Sequence, residues 1–120
     1  MSGLLVDSDV LTDYLVGRDE AADFLEYARD DLHLSVVTLA DLGPHIRGEA
    51  EWTTLLGACQ ALILHQIDAE IARAAARIKG KTLSHRLIAA TAQVHGLRIV
   101  AIDRKAYPGS EVLVPYSRIV

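Results

Sequence analysis

The sequence lacks several features that would place it in a specialised class of protein. It has one cysteine, Cys59, which excludes an internal disulfide and removes the main reason to expect an oxidising compartment. No basic leader precedes the first apolar run, Leu4–Val6, and Asp7 ends that run, so we expect neither a signal peptide nor a membrane span. These absences predict a cytoplasmic protein with no membrane contact.

Positive charge is also scarce, with 12 basic against 16 acidic side chains and a formal net charge of −4. This balance excludes a strongly basic, non-specific nucleic-acid binder, so any contact with RNA has to be local. A glycine-rich phosphate loop is missing too, which argues against a nucleotide-binding domain. The histidines have none of the short paired spacings of zinc motifs. They are His33, His45, His65, His85 and His95.

Apolar residues, in contrast, make up 51% of the sequence, enough to close the core of one domain spanning residues 1–120. Short apolar runs predict strands at 3–6, 32–37, 61–67, 98–102 and 112–114, with helical periodicity between most of them. Strands that alternate with helices form right-handed crossovers. The pattern therefore predicts an α/β fold, a doubly wound parallel sheet of four to five strands with helices on both faces.

Polar residues at the expected helix starts predict the local geometry. Thr38 is the expected N-cap of the helix after the second strand, which would put Asp41 in its first turn, where the helix dipole favours an anion. Asp68 is the expected cap of an alanine-rich helix that runs to Ile78, and Ser84 that of the next long helix. The large aromatic side chains are expected in the core or at a subunit interface. They are Phe24, Tyr27 and Trp52.

Acidic side chains gather where the predicted strands end. Asp7 and Asp103 directly follow strands, and Asp41 lies in the helix after another, so all three should meet at the carboxyl edge of the sheet. Packed carboxylates raise one another's pKa values or need a cation, and hard oxygen ligands select Mg²⁺ or Mn²⁺. Such an ion can polarise a phosphodiester and activate water. Asp9 could cap the first helix or bind the ion, and Ser8 would support the site.

The segments that carry these residues resemble motifs of the PIN-domain family, especially its VapC-type toxins. LLVDSDVLTDYLVGR is similar to the family's opening motif, LSVVTLADL to its second acidic motif, and HRLIAATAQVHGLRIVAID to its third and fourth. The resemblance covers nearly the whole chain, with the motifs in the family's order. It implies a Mg²⁺- or Mn²⁺-dependent endoribonuclease, the homodimeric toxin of a type II toxin–antitoxin system, silenced by a small antitoxin protein.

The resemblance also assigns roles to single residues. Asp7 matches the family's first metal-binding aspartate, and Ser8 and Asp9 match the hydroxyl and Asn/Asp positions that follow it. Asp103 matches the fourth acidic position. Asp41 stands where the family usually has glutamate, so it keeps the charge but has a shorter reach. The resemblance thus implies an ion held by Asp7, Asp41 and Asp103, with Asp9 beside them.

Two positions depart from the family's pattern. His85 occupies the place of an aspartate that helps to bind the metal; an imidazole there removes a charge and favours Mn²⁺ or softer ions over Mg²⁺, or it could act as a base. Ala101 replaces a small hydroxyl residue, which removes one possible hydrogen bond. The His85 substitution leaves an alternative open, a degenerate PIN domain without nuclease activity that acts as a binding or assembly module. An unrelated doubly wound domain with a different ligand is a third possibility, which the missing glycine-rich phosphate loop makes less likely.

Basic residues beside the acidic motifs are candidate contacts for RNA. Arg86, Arg104 and Lys105 can donate to phosphate oxygens, although the same side chains could serve solubility alone. The leading prediction is a metal-dependent endoribonuclease that hydrolyses RNA phosphodiesters. Its predicted catalytic residues are Asp7, Ser8, Asp41, His85 and Asp103.

Overall fold

The computed structural model describes residues 3–117, which form a single α/β domain around a parallel sheet. Within that range five strands lie in the order β3-β2-β1-β4-β5 and every neighbouring pair is parallel. They are β1 (Leu4–Val6), β2 (Leu32–Ser35), β3 (Ile63–His65), β4 (Arg98–Val100) and β5 (Val112–Leu113). All five are shorter than the predicted ranges. The order puts β1 at the centre and confirms the doubly wound fold class.

Helices come in pairs between successive strands, up to β4. They are α1 (Ser8–Leu15), α2 (Asp19–Tyr27), α3 (Val36–Leu42), α4 (Gly48–Cys59), α5 (Ala69–Ala75) and α6 (Leu83–His95). Short 3₁₀ helices follow α3 and β4, at Gly43–His45 and Arg104–Ala106. Among residues 3–117, none of the helices combines the length and apolar character needed to cross a membrane.

Alternating side chains along β1 build the core on both faces of the sheet. Leu4 and Val6 pack on one face with helices α1–α4, where Leu42 is also fully buried. Leu5 points to the opposite face and packs with Ile88 of α6. Each fully buried aliphatic side chain contributes about 1.5–3 kcal/mol through the hydrophobic effect. A strand covered on both faces accounts for the uninterrupted apolar run that starts the sequence.

The third helix begins earlier than the sequence predicts. β2 ends at Ser35, whose Oγ accepts the Val37 amide at 3.0 Å and caps α3. Thr38, the expected cap, is buried inside the helix. Val36 and Val37 are β-branched, which favours the predicted strand, but they lie in the first turn of α3. Asp41 is consequently in the last turn of α3, where the helix dipole does not favour an anion.

Of the N-caps predicted for the last two helices, one is confirmed and the other is wrong. Asp68 caps α5 as predicted, although the helix ends at Ala75 rather than Ile78. Thr82, not Ser84, caps α6 through its side chain. Ser84 therefore lies inside the first turn of α6, and its hydroxyl is available for a contact with another element.

Three histidines form a stacked row at one side of the sheet. The rings of His33 on β2 and His65 on β3 lie 5.0 Å apart with planes 10° apart, and their Nδ1 and Nε2 atoms are 2.8 Å apart, within hydrogen-bond distance. His95, at the end of α6, covers His65 with 4.2 Å between ring centroids. Burial, followed by the neighbouring imidazoles, lowers the pKa of His65, and burial is also the main cause of the lowered pKa of His33. The surroundings of His33 and His65 therefore favour their neutral rings.

Protonation of His65 should destabilise the fold. Because the folded pKa of His65 lies below its unfolded value of 6.5, the stabilisation is present above about pH 6.5 and is lost as the pH falls below it. Between about pH 7.5 and about pH 5.5, we expect His65→Gln to lose less free energy of unfolding in urea than the wild type. His45→Gln, at an exposed position outside the row, is the control and should follow the wild type. Equal losses in all three proteins would contradict the prediction.

Candidate functional site

The central strand delivers the first acidic residue to the crevice where the strand order reverses. β1 pairs with β2 on one side and β4 on the other, and ligands of open parallel sheets bind beyond the carboxyl ends at such a point. Asp7 follows β1 directly and donates its backbone amide to the Val100 carbonyl at 2.9 Å. Only 5% of Asp7 is exposed, so its carboxylate is held inside the protein.

The Asp7 carboxylate accepts a hydrogen bond from Ser8 and is repelled by the charge of Asp9. Its Oδ1 accepts the Ser8 backbone amide at 2.7 Å, which caps α1, and lies 3.5 Å from the Ser8 hydroxyl. Burial and then the charge of Asp9 raise the pKa of Asp7 from 3.8 to about 6. Smaller opposing contributions come from Tyr107, Ser8 and His85. At neutral pH Asp7 is therefore a buried charge that its surroundings compensate only in part.

The Asp9 side chain links two segments that line the crevice. Its Oδ2 accepts the backbone amides of Ile102 at 2.8 Å and Asp103 at 3.2 Å. These bonds tie the first turn of α1 to the segment that follows β4. Of the two roles expected for Asp9, the capping of α1 is wrong, because Asp7 is the N-cap. Metal binding by Asp9 stays a prediction.

Asp41 is met by a residue that is distant in sequence. The Ser84 hydroxyl, in the first turn of α6, donates to Asp41 Oδ1 at 2.9 Å, and both residues are half-buried. Asp41 also acts electrostatically on Tyr107, as do Asp7 and Asp9, so three acidic side chains lie around that one phenol. Ser84 is thus a site residue that sequence reasoning assigned to helix capping.

Asp103 lies at the exposed rim of the crevice. Its side chain accepts the Lys105 amide at 3.1 Å and caps the 3₁₀ helix Arg104–Ala106. Arg104 and Lys105 are exposed in the same turn and remain open to a phosphate backbone. Arg86 is directed elsewhere, since its Nη1 lies 3.5 Å from the Ala75 carbonyl at the end of α5. The structure therefore gives less support to Arg86 as an RNA contact than to the other two.

His85 and Tyr107 form the opposite wall of the crevice. Their rings meet edge to face, with 5.2 Å between centroids and 73° between planes. Burial is the main cause of a strongly raised Tyr107 pKa, and the charge of Asp7 is the next. Within residues 3–117 the buried Tyr107 hydroxyl and the buried His85 Nδ1 have no hydrogen-bond partner. Sequence reasoning missed Tyr107 because the following Pro and Gly identify only a turn.

These donors fit a hard divalent cation in their chemistry. Carboxylate oxygens, a hydroxyl and an imidazole nitrogen face one crevice, and the two buried atoms without partners would be satisfied by an ion or its water ligands. Among the described residues, however, no group of three or more His, Cys, Asp or Glu side chains is arranged to hold an ion. The assignment of Asp7, Asp41, Asp103 and Asp9 as ligands stays a prediction.

Comparison with solved structures identifies the fold. A protein of a toxin–antitoxin complex from Klebsiella pneumoniae superposes with a TM-score of 0.83 at 25% identity, covering 96% of this chain and 99% of that one. DNA-bound VapBC from Salmonella typhimurium gives 0.77 at 18% identity, covering 94% and 98%. VapBC-5 from Mycobacterium tuberculosis gives 0.64 at 22% identity, covering 99% and 100%. No protein-family model and no curated protein matches the sequence.

The architecture and these similarities identify the PIN-domain fold, which the chain shares with proteins of VapBC and related toxin–antitoxin complexes. The resemblance of the sequence to VapC-type toxins is confirmed, because the similar structures are VapBC and related toxin–antitoxin complexes that match over nearly the full length of both chains.

The raised pKa of Asp7 predicts an effect on stability. Because the folded pKa exceeds the unfolded value of 3.8, the favourable contribution of Asp7 is present below about pH 4 and is lost as the pH rises through about 6. Asp7→Asn keeps a side-chain oxygen that can cap α1 but removes the buried charge. In metal-free buffer near pH 7.5 we expect it to raise the free energy of unfolding by up to about 3 kcal/mol, measured in urea.

The gain should disappear near pH 4, where wild-type Asp7 is largely protonated. Asp23→Asn removes a charge from an exposed position on α2 and serves as the control, with little expected effect at either pH. A destabilised Asp7→Asn protein near pH 7.5 would contradict the view that Asp7 carries an uncompensated buried charge.

Proposed function

We propose that this chain is a Mg²⁺- or Mn²⁺-dependent endoribonuclease and the toxin of a type II toxin–antitoxin system. The observation that carries the proposal is the Asp7 carboxylate, buried at the reversal point of the sheet with a pKa raised to about 6. Asp9 and Asp41 lie nearby and share Tyr107 as a neighbour. Several carboxylates in one crevice repel one another and destabilise the fold. A bound cation would offset that repulsion.

Asp7, Asp41 and Asp103 would hold the ion, with Asp9 beside them. When bound, a divalent ion supplies a Lewis acid for the phosphodiester and lowers the pKa of a coordinated water. The chain contributes fixed positions: the Ser8 amide holds one oxygen of Asp7, and Asp9 holds the segment that carries Asp103. These bonds restrict the two ligand-bearing segments before an ion arrives.

His85 contributes the feature that departs from the family. It lies close enough to Asp7 to lower that pKa, and its buried Nδ1 has no partner within residues 3–117. A neutral imidazole at this position brings a nitrogen donor, which Mn²⁺ accepts more readily than Mg²⁺, or it accepts a proton from the attacking water. The first of these roles makes the enzyme more effective with Mn²⁺ than with Mg²⁺.

RNA would approach along the exposed rim. Arg104 and Lys105 follow Asp103 in an exposed turn and can donate to phosphate oxygens on either side of the scissile bond. The net charge of −4 gives the rest of the surface no general affinity for RNA. Binding therefore depends on this rim, and replacement of both basic residues by Glu should weaken RNA binding while leaving the fold intact.

The first test is cleavage of a structured-RNA mixture with Mg²⁺ or Mn²⁺. We expect wild-type protein to cleave and Asp7→Asn to lose at least about 100-fold in rate, because a ligand outweighs the outer contacts that typically contribute about 10–100-fold. Asp23→Asn, on the exposed face of α2, should cleave at the wild-type rate. Wild-type protein that neither cleaves nor binds either ion in calorimetry would favour a degenerate PIN domain acting as a binding module.

His85→Asp extends the same assay. A large gain in cleavage would mean that the wild-type site is impaired by its histidine, whereas a loss would assign His85 a working role. The ratio of Mn²⁺- to Mg²⁺-supported rates should fall in His85→Asp, since a carboxylate restores an all-oxygen ligand set. An unchanged ratio would remove His85 from the metal site.

An antitoxin has a candidate docking groove between α1, α2 and α4. The cavity is about 390 Å³, and its floor is mostly apolar, with Leu11, Leu25, Ala58 and Leu62 among its lining residues. Its rim carries the acidic side chains Glu26, Asp30 and Asp31. Tyr27, expected in the core or at an interface, is 72% exposed beside this rim, so its core placement is wrong. An amphipathic segment with basic residues on its polar face complements such a groove.

The protein is proposed to act as a homodimer in the cytoplasm, where a free thiol such as Cys59 is maintained. The family resemblance supports the dimer. Light scattering of the purified protein at twice the monomer mass would support it, and a monomer at high concentration would contradict it.

The groove predicts binding of a basic amphipathic helix. A synthetic peptide with Leu on one face and Arg on the other should bind, and Ala58→Arg should weaken it at least about 10-fold, because it places bulk and positive charge on the floor. Gln93→Arg, on the exposed face of α6, is the control for added charge. Equal affinity of the two variants in fluorescence polarisation would contradict the assignment of this groove.

A further inference from the structure

The hydroxyl of Tyr107 is an unusual atom to find in this core. Tyr107 is 2% exposed, and its ring packs with apolar side chains such as Leu5 and Ile88. Phenylalanine would pack in the same way without a polar atom. A buried polar group without a partner costs about 1–3 kcal/mol, so packing alone does not account for a tyrosine at this position.

The surroundings prevent this hydroxyl from turning to solvent. The Tyr107 amide donates to the Arg104 carbonyl at 3.2 Å, and the Tyr107 carbonyl accepts the Ser110 amide at 3.2 Å. The edge contact with His85 restrains the ring. The hydroxyl faces the Asp7 carboxylate closely enough to lower its pKa but does not form a hydrogen bond of full geometry in the described chain.

The ionised carboxylates around the hydroxyl can only accept its proton. Asp7, Asp9 and Asp41 are the charged side chains that act on it, and an ionised carboxylate has no proton to donate. Asp7 has the strongest effect of the three. One oxygen of Asp7 is already held by the Ser8 amide at 2.7 Å, so a second donor would fix the remaining rotation of the carboxylate.

We propose that Tyr107 is a positioning residue of the metal site, whose hydroxyl donates to the Asp7 carboxylate as a divalent ion binds and so orients that ligand. The inference rests on the proposed function, because it assumes that Asp7 binds an ion. A neutral donor suits the position, since it orients a carboxylate without adding a cation that would compete with the ion. Hydrogen-bond partners of metal ligands typically contribute about 10–100-fold to metal affinity.

The test is Tyr107→Phe, with Mn²⁺ alone as the probe in calorimetry. We expect the thermal midpoint to stay the same or rise, because an unsatisfied hydroxyl is removed, while the affinity for Mn²⁺ falls at least about 10-fold. Tyr116→Phe is the matched control. Its hydroxyl donates to Asp13 at 2.9 Å in another part of the fold, so its loss should lower stability and leave Mn²⁺ affinity unchanged.

The outcomes separate this inference from the proposed function. Wild-type protein that binds Mn²⁺ together with an unchanged affinity in Tyr107→Phe would overturn the role of Tyr107 and leave the metal site standing. Wild-type protein that binds no Mn²⁺ would overturn the metal site, and the role of Tyr107 with it.

A second measurement asks whether Tyr107 acts through Asp7. The Mn²⁺ affinities of wild type, Tyr107→Phe, Asp7→Asn and the double variant form a cycle that isolates the coupling between the two side chains when the ion is bound. We expect the factor by which Tyr107→Phe lowers the affinity for Mn²⁺ to be at least about threefold smaller in the Asp7→Asn variant than in the wild-type protein. Strict additivity would overturn the inference, since a hydroxyl that does not interact with Asp7 cannot orient it.

Discussion

The Asp7 carboxylate is buried at the end of the central strand, where little water reaches its charge. An ionised group in such a place requires donors from the protein, and the Ser8 amide is the nearest one. Because that amide also begins α1, the capping of the helix and the anchoring of the carboxylate are the same hydrogen bond. The Asp7 side chain therefore fixes the start of α1, and α1 in turn forms part of the wall of the crevice.

The other carboxylates are accommodated in a consistent way. Asp9 accepts hydrogen bonds from two backbone amides, Asp41 from the Ser84 hydroxyl, and Asp103 from the Lys105 amide. None of these hydrogen bonds comes from a cationic side chain. Neutral donors stabilise the individual carboxylates but leave the total negative charge of the crevice unchanged. The crevice is therefore locally organised and still electrostatically suited to a cation.

The fold was predictable because its signals are local and repeated. Apolar runs followed by acidic residues identify buried strands and their carboxyl ends, and the regular alternation with helices identifies a parallel sheet. The helix starts were less predictable where two residues competed for one role, as Thr38 did with Ser35 and Ser84 with Thr82. Serine and threonine are both favoured N-caps, so residue type alone does not identify the cap, and the end of the preceding segment decides between neighbouring candidates. The site was predictable in its strand-end residues, since topology alone brings Asp7 to the crevice.

The cross-element contacts of the site were not predictable. The contact between Ser84 and Asp41 joins helices 43 positions apart in the sequence, and no local pattern reports it. Tyr107 belongs to a turn, and its role depends on a ring orientation that is set by His85 and the core. Such residues emerge only when the side chains are seen together.

The position of Cys59 has a practical consequence. It is the only cysteine in the chain, and it lies among the residues that line the groove between α1, α2 and α4. Burial raises the pKa of its thiol, which keeps it protonated and slow to react at neutral pH. A single fluorophore or spin label attached there under mildly alkaline conditions would sit at one defined point of that groove, and its signal would report the arrival of any molecule that fills it.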